Sequence, residues 1–227
     1  MILSIDTSTT GCSVALHQGY ELLARYELFT ERTSSSLLTT LIDNVIQHSG
    51  HQLTDLDAIA VAKGPGSYTG LRIAVATAKG LCFALDKPLL AVNTLQAMSE
   101  QVRYWSSANR EWSLLCPMID ARRLEVYCAM YAPDGQEAMP TTAKVIDGES
   151  FAEELEQGTV LFFGDGATKC QPLLGGHPNA RFLGPPVRPS ASTVGVLAYA
   201  AFLEGQFENL AAFEPFYLKE FMTTQKR

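Results

Sequence analysis

Gly64-Pro65-Gly66-Ser67-Tyr68-Thr69-Gly70-Leu71-Arg72 runs straight into a helix that is apolar on nearly every side. Two glycines bracketing a proline make a tight turn that bulkier residues could not follow. Ser67 and Thr69 stand where they can cap a helix beginning near Gly70. A glycine-rich loop feeding a helix N-terminus suits an anion, because backbone N–H groups and the helix dipole point at it. The spacing is not that of a P-loop, however, and Lys63 precedes the glycines instead of following them. The stretch therefore reads either as a phosphate cradle or as the corner of an interface.

Working outward, the expected helix Gly70–Leu85 shows two adjacent apolar stripes, with Arg72, Lys79 and Asp86 as its thin polar edge. Such a helix must be covered on more than its sheet-facing side. Either it is buried within this chain or it meets a second subunit, and periodicity cannot separate the two. Before it, Ile2–Ile5, Cys12–His17 and Glu21–Leu28 read as strands, Ser35–Ser49 as an amphipathic helix and Ala58–Ala62 as a strand. After it come a strand at Leu89–Val92 and a helix that Thr94 caps. The second half reads as strands at Trp112–Ile119, Glu125–Tyr131 and Val160–Phe163. Its expected helices are Glu149–Leu155, Asp165–Leu174 and Ala191–Leu203, with a loop over Gly175–Pro189. A composition shift at Ser106–Glu111 marks a boundary, giving an N-terminal lobe at 1–105 and a smaller C-terminal lobe at 106–227. The last helix and tail can pack back on the first lobe. The order is that of an α/β protein whose lobes each hold a mixed β-sheet flanked by helices.

Three apolar strands end in an acidic residue beside small ones, at Asp6, Asp120 and Asp165. A carboxylate there can orient metal-bound water while nearby hydroxyls and amides contact phosphate. Asp6, Thr7, Gly66, Ser67 and Asp120 are thus the nucleotide-proximal candidates. No metal site is expected: His48 and His51 sit at a helix end beside Gly50 with no third ligand in view.

Composition limits the rest. The chain has 227 residues, 47% hydrophobic and 18% charged, with a net charge of −7. That balance is globular and speaks against a free-standing nucleic-acid binder, which shows a basic face. Arg122, Arg123, Lys219, Lys226 and Arg227 accordingly read as solvated surface charge. Five scattered cysteines fit reduced, buried thiols better than a disulfide framework. Met1 leads directly into a strand, with no signal peptide, and no apolar run is long enough for a bilayer. A cytoplasmic protein without membrane contact is expected.

Ile5-Asp6-Thr7-Ser8, the Gly64–Arg72 motif, Ala91-Val92-Asn93-Thr94-Leu95, Ile119-Asp120-Ala121-Arg122 with Glu125-Val126-Tyr127, and Glu214-Pro215-Phe216-Tyr217-Leu218 together resemble the TsaB (formerly YeaZ) family. The resemblance covers most of the chain. It implies an actin-like ATPase (ASKHA) fold of two ribonuclease-H-like lobes. It also implies a non-catalytic subunit that binds TsaD in the complex converting adenosine 37 of ANN-reading tRNAs to threonylcarbamoyladenosine (t6A). TsaE is implied as a further partner, tRNA as an indirect one, and a homodimer when the chain is isolated. No cofactor of its own is implied, with ATP or ADP and magnesium entering only in the assembled complex. By position, the partner-binding helices correspond to Ser35–Ser49 and Gly70–Leu85, making Leu38, Leu41, Ile42, Val45, Tyr68, Thr69, Arg72, Ile73, Ala76 and Lys79 the docking candidates. TsaD carries a His-x-x-x-His metal motif on its first long helix. The corresponding Glu31–Leu37 here has no histidine, and Arg and Ser are poor ligands for such a metal. The alternative is an active small-molecule kinase or ATPase of the same fold. A glycoprotease would need a nucleophile–base pair or a metal, and neither is recognisable.

Overall fold

The structure, a computed structural model, describes residues 1–30, 34–105, 112–184 and 187–218, without the side chains of 34–36. The boundary expected at Ser106–Glu111 lies outside the described residues, as do Lys219, Lys226, Arg227 and the first three residues of the histidine-free stretch Glu31–Leu37.

The first sheet has the order β3-β2-β1-β4-β5, built from β1 (Ile2–Asp6), β2 (Cys12–Gln18), β3 (Glu21–Leu28), β4 (Ala58–Gly64) and β5 (Leu89–Asn93). β1 pairs antiparallel with β2 and parallel with β4, and β4 pairs parallel with β5. The second sheet, β10-β9-β6-β7-β8, repeats the plan with β6 (Leu114–Asp120), β7 (Glu125–Tyr131), β8 (Glu137–Val145), β9 (Val160–Phe163) and β10 (Ala180–Phe182). β6 again pairs antiparallel with the next strand and parallel with β9. Asp6 and Asp120 therefore occupy the same place, at the end of each sheet's central strand.

Each sheet is covered on both faces. α1 (Ser34–His48) and α2 (Tyr68–Leu85) cover Leu3, Ile5, Val14, Leu16, Ile59 and Val61. The opposite face, Ile2, Ala58, Ala60, Ala62, Leu90 and Val92, receives α6 (Ala191–Leu203). α3 (Thr94–Trp105) packs Leu95, Met98 and Val102 on Leu115, Ile119 and Ala129 of the second sheet. That sheet's other face buries Cys116, Cys128 and Phe162 beneath α4 (Ala152–Gln157) and α5 (Asp165–Leu174). A strand buried on both faces needs a continuous apolar run, which is how Ile2–Ile5 and Ala58–Ala62 read.

Two strands were not expected. β8 carries Pro140 and is nowhere fully buried. β10 has three residues and falls inside the Gly175–Pro189 stretch expected to be loop. Both are edge strands, where one unpaired side tolerates proline and polarity. α6 is apolar all round, because β1, β2, β4, β5 and α3 surround it. Its Gly195 lies so close to β2 that an added Cβ would stand 2.2 Å from His17 Nδ1. The five cysteines are buried free thiols.

Candidate functional site

The motif loop is a clasp on the β1–β2 turn. Ser67 N donates to the Ser8 carbonyl at 2.6 Å, and Thr7 Oγ1 donates to the Gly70 carbonyl at 2.7 Å. A Cβ on Gly66 would lie 2.1 Å from Ser8 O, and one on Gly70 would lie 2.0 Å from Thr7 O. The glycines are needed because backbone meets backbone there. The Ser67 N–H is thereby taken by the chain's own Ser8 carbonyl. Ser67 is the N-cap and accepts from Gly70 N at 3.3 Å, and the helix starts at Tyr68, two residues before the expected Gly70.

Asp6 is buried. Its Oδ1 accepts from Ser8 N at 2.8 Å and Ser8 Oγ at 2.6 Å, while Oδ2 has no hydrogen-bond partner among the described residues. Burial pushes its pKa up to about 6, opposed by the two Ser8 hydrogen bonds and helped by the charge of Glu27. Asp120, its counterpart, is half-exposed and engaged. Lys169 of α5 binds its Oδ1 and also donates to the Glu125 carbonyl at 2.6 Å. Burial works against the Asp120 charge, but Lys169, the Arg122 N–H and the Arg122 charge prevail and hold the carboxyl below its ordinary range. Asp165 accepts from Asp120 N at 2.9 Å, and burial raises its pKa. The three acids are thus brought to strand ends as expected, but Asp120 and Asp165 are tied to each other and to Lys169. Among the described residues no group of three or more His, Cys, Asp or Glu is placed to hold a metal ion.

The β6–β7 turn has an unusual backbone. Arg122 and Arg123 hold φ of 73° and 51°, a left-handed conformation that costs a residue with a Cβ about 1 kcal/mol or more.

The ten docking candidates separate into three groups. Leu38, Leu41, Ile42 and Val45 are buried against the chain's own β2, β3 and α2, because α1 turns its apolar stripe inward. These four are core, which corrects their expected place on a partner face. Tyr68 and Lys79 hold the C-terminal strap, residues 204–218. Lys79 Nζ donates to the carbonyls of Ala211 and Phe213, and Tyr68 packs on Tyr217 with ring centroids 4.9 Å apart. Glu208 N to Leu89 O and Phe216 N to Lys63 O pin the strap at 2.9 and 2.7 Å, leaving a pocket of about 590 Å³ beside Lys63 and Glu214. Thr69, Arg72 and Ala76 are exposed and Ile73 half-buried on the outer side of α2. That line continues through Gly80 to Phe83, which is 84% exposed, and Ala84. Helix α2 is therefore uncovered on its outer face, and the reading that buries it within the chain is set aside. Phe83 was not among the expected outer residues, although a phenylalanine at helical spacing from Ala76 and Gly80 signals the same stripe.

The family profile described as "TsaD: tRNA N6-adenosine threonylcarbamoyltransferase" matches residues 28–173. The tRNA threonylcarbamoyladenosine biosynthesis protein TsaB of Escherichia coli (strain K12) is 32% identical over 99% of this chain and 97% of its own length. This chain belongs to the TsaB family. A TsaB protein of Haemophilus influenzae is 37% identical over 56% of this chain and 51% of its own length. Among solved structures, YeaZ from Pseudomonas aeruginosa superposes with a TM-score of 0.78 at 30% identity, covering 96% of this chain and 99% of that one. The activator of 2-hydroxyisocaproyl-CoA dehydratase from Clostridium difficile, 10% identical, gives a TM-score of 0.51 over 90% of this chain and 96% of that one. That likeness concerns the fold alone. Two mixed sheets flanked by helices give this chain the actin-like ATPase (ASKHA) fold. Among the described residues no helix is long and apolar enough to cross a membrane.

Proposed function

We propose that this TsaB-family chain is a cytoplasmic, non-catalytic subunit that binds TsaD in the complex modifying adenosine 37 of ANN-reading tRNAs to t6A. The observation that carries the reading is the outer stripe of α2: Arg72, Ala76, Gly80 and Phe83 face solvent, with Ile73 half-buried beside them, on a helix whose other side is core. Small residues along the stripe let a second helix approach closely, and Phe83 supplies an apolar anchor. The same stripe pairs two copies when the chain is isolated. TsaE joins the complex, and nucleotide with magnesium enters only there. The occupied state of Asp120 supports this reading over a kinase, since Lys169 already takes the carboxylate that a metal–nucleotide would need.

The test is co-expression with the cognate TsaD. The parent chain co-purifies with it, whereas Ala76→Arg and Phe83→Glu keep the parent's melting temperature and lose TsaD. Retained binding by both folded variants would move the interface elsewhere. Calorimetry of the isolated chain with magnesium and ATP supplies the second arm: tight binding there would restore the kinase reading.

A further inference from the structure

The turn joining β6 to β7 places two arginines side by side at the tip of a hairpin, in backbone conformations that glycine or asparagine adopts at less cost. The turn is closed by Glu125 N donating to Arg122 O at 3.1 Å and Ala121 N donating to Glu125 O at 3.0 Å, so the tip is rigid. Three carboxylates surround it. Asp120 is neutralised by Lys169 and accepts the Arg122 backbone N–H at 2.6 Å, and Asp165 accepts from Asp120 N. Glu125 starts β7 behind the turn, its carbonyl held by Lys169. Among the described residues neither guanidinium forms an ion pair or lies over an aromatic ring, and both side chains are exposed. The left-handed backbone thus holds two exposed guanidiniums outermost at the turn, with Lys169 and the carboxylates Asp120 and Asp165 behind them.

We propose that Arg122 and Arg123 form a docking tip for the phosphate backbone of RNA. This rests on the reading that the chain works in a tRNA-modifying complex. The planar guanidinium fork matches phosphate oxygens, and two adjacent forks on a fixed turn span neighbouring phosphates without reading sequence. Lys169, bridging Asp120 to Glu125, keeps the nearby carboxylate from drawing the forks inward. The tip makes the acidic chain a local contributor to RNA positioning rather than a general nucleic-acid binder.

The experiment uses the pair formed by the full chain and its cognate TsaD, titrated with an unmodified ANN-reading tRNA transcript at several salt concentrations. Arg122→Gly/Arg123→Gly melts no earlier than the parent and still co-purifies with TsaD. It binds the transcript about tenfold more weakly, and the slope of log K against log[salt] falls by one to about two. Arg122→Lys/Arg123→Lys recovers most of that affinity, because charge without the fork still meets phosphate. Unchanged affinity and slope in the glycine variant would overturn the tip while leaving the TsaD reading intact. Loss of TsaD co-purification by that variant would also overturn it, assigning the turn and the neighbouring exposed Leu124 to a protein contact. Failure of the parent itself to co-purify with TsaD would remove the reading and the tip together.

Discussion

Lys79, at the middle of α2, donates to the carbonyl oxygen of Phe213 at 3.0 Å and to that of Ala211 at 3.3 Å, so one helix both exposes an outer stripe and fastens the chain's own C-terminal strap. Lys79 borders that stripe on the side of Arg72, so the strap runs along its edge. Phe213 is buried in the same core as Leu41 and Val75.

Replacing Lys79 by Met should therefore loosen the strap without unfolding the lobes. Charge-assisted bonds to two carbonyls contribute on the order of 1.5–3 kcal/mol locally. Amide hydrogen exchange at Phe213 and Phe216 should accelerate about tenfold or more, while exchange in β1 and β4 stays as in the parent. Uniform acceleration across the sheet would show that the strap supports the whole fold.

Gly66→Ala and Gly70→Ala should each be severe. A methyl placed 2.0 to 2.1 Å from a carbonyl oxygen must push the β1–β2 turn away from the motif loop. A loss of about 3 kcal/mol, read as a fall in melting temperature, is the expected cost. Gly80→Ala is the control: nothing lies within 4 Å of its added Cβ, and an alanine favours a helix. It should melt slightly higher.

A charge at Leu41 and a charge at Phe83 should have opposite consequences. Leu41 is core, so Leu41→Asp buries an unpaired carboxylate and the chain fails to fold. Leu38→Ala, a gentler change in the same layer, should cost about 2–5 kcal/mol in denaturant unfolding. Phe83→Glu touches no core residue and should leave unfolding within about 0.5 kcal/mol of the parent.

His17 and Asp6 pull stability in opposite directions across one pH window. Burial lowers the His17 pKa to about 4, against an ordinary 6.5. Its contribution is full above the ordinary value and falls as acid protonates the unfolded chain first. The Asp6 carboxyl, pushed up to about 6 from 3.8, contributes fully below 3.8 and loses that contribution as pH rises through 6. Between pH 4 and 6 the two slopes oppose. Asp6→Asn should leave the His17 slope alone, so stability falls on acidification by up to about 1.4 kcal/mol per pH unit. His17→Leu should instead gain stability as the pH drops from 7 to 4. Identical curves for the two variants would refute the assignment.

Much of the fold was legible because both central strands are continuous apolar runs and the main helices keep a clear 3.6-residue period. Residues 137–145 gave no such signal: Pro140, Thr141 and Thr142 lie on a half-buried edge where no face demands hydrophobicity. At the site, periodicity located α1 and α2 but could not tell an inward stripe from an outward one. Leu41 and Ala76 each suit either side of a helix, and only the position of the sheet separates them. The strap contacts of Lys79 were not legible because its partners are backbone carbonyls 132 and 134 residues away, and carbonyls leave no mark in a sequence. The same holds for Thr7 and Ser8, whose carbonyls turned an apparent phosphate loop into a clasp.

α6 also orders events during synthesis. The ribosome delivers β1 to β5 first, yet the face bearing Ile2, Ala60 and Val92 stays bare until residues 191–203 emerge. The half of the protein that is translated first is completed last, so a nascent chain stalled near its midpoint would present a greasy sheet to chaperones. A messenger truncated after α3 would yield an insoluble product, not a smaller working one.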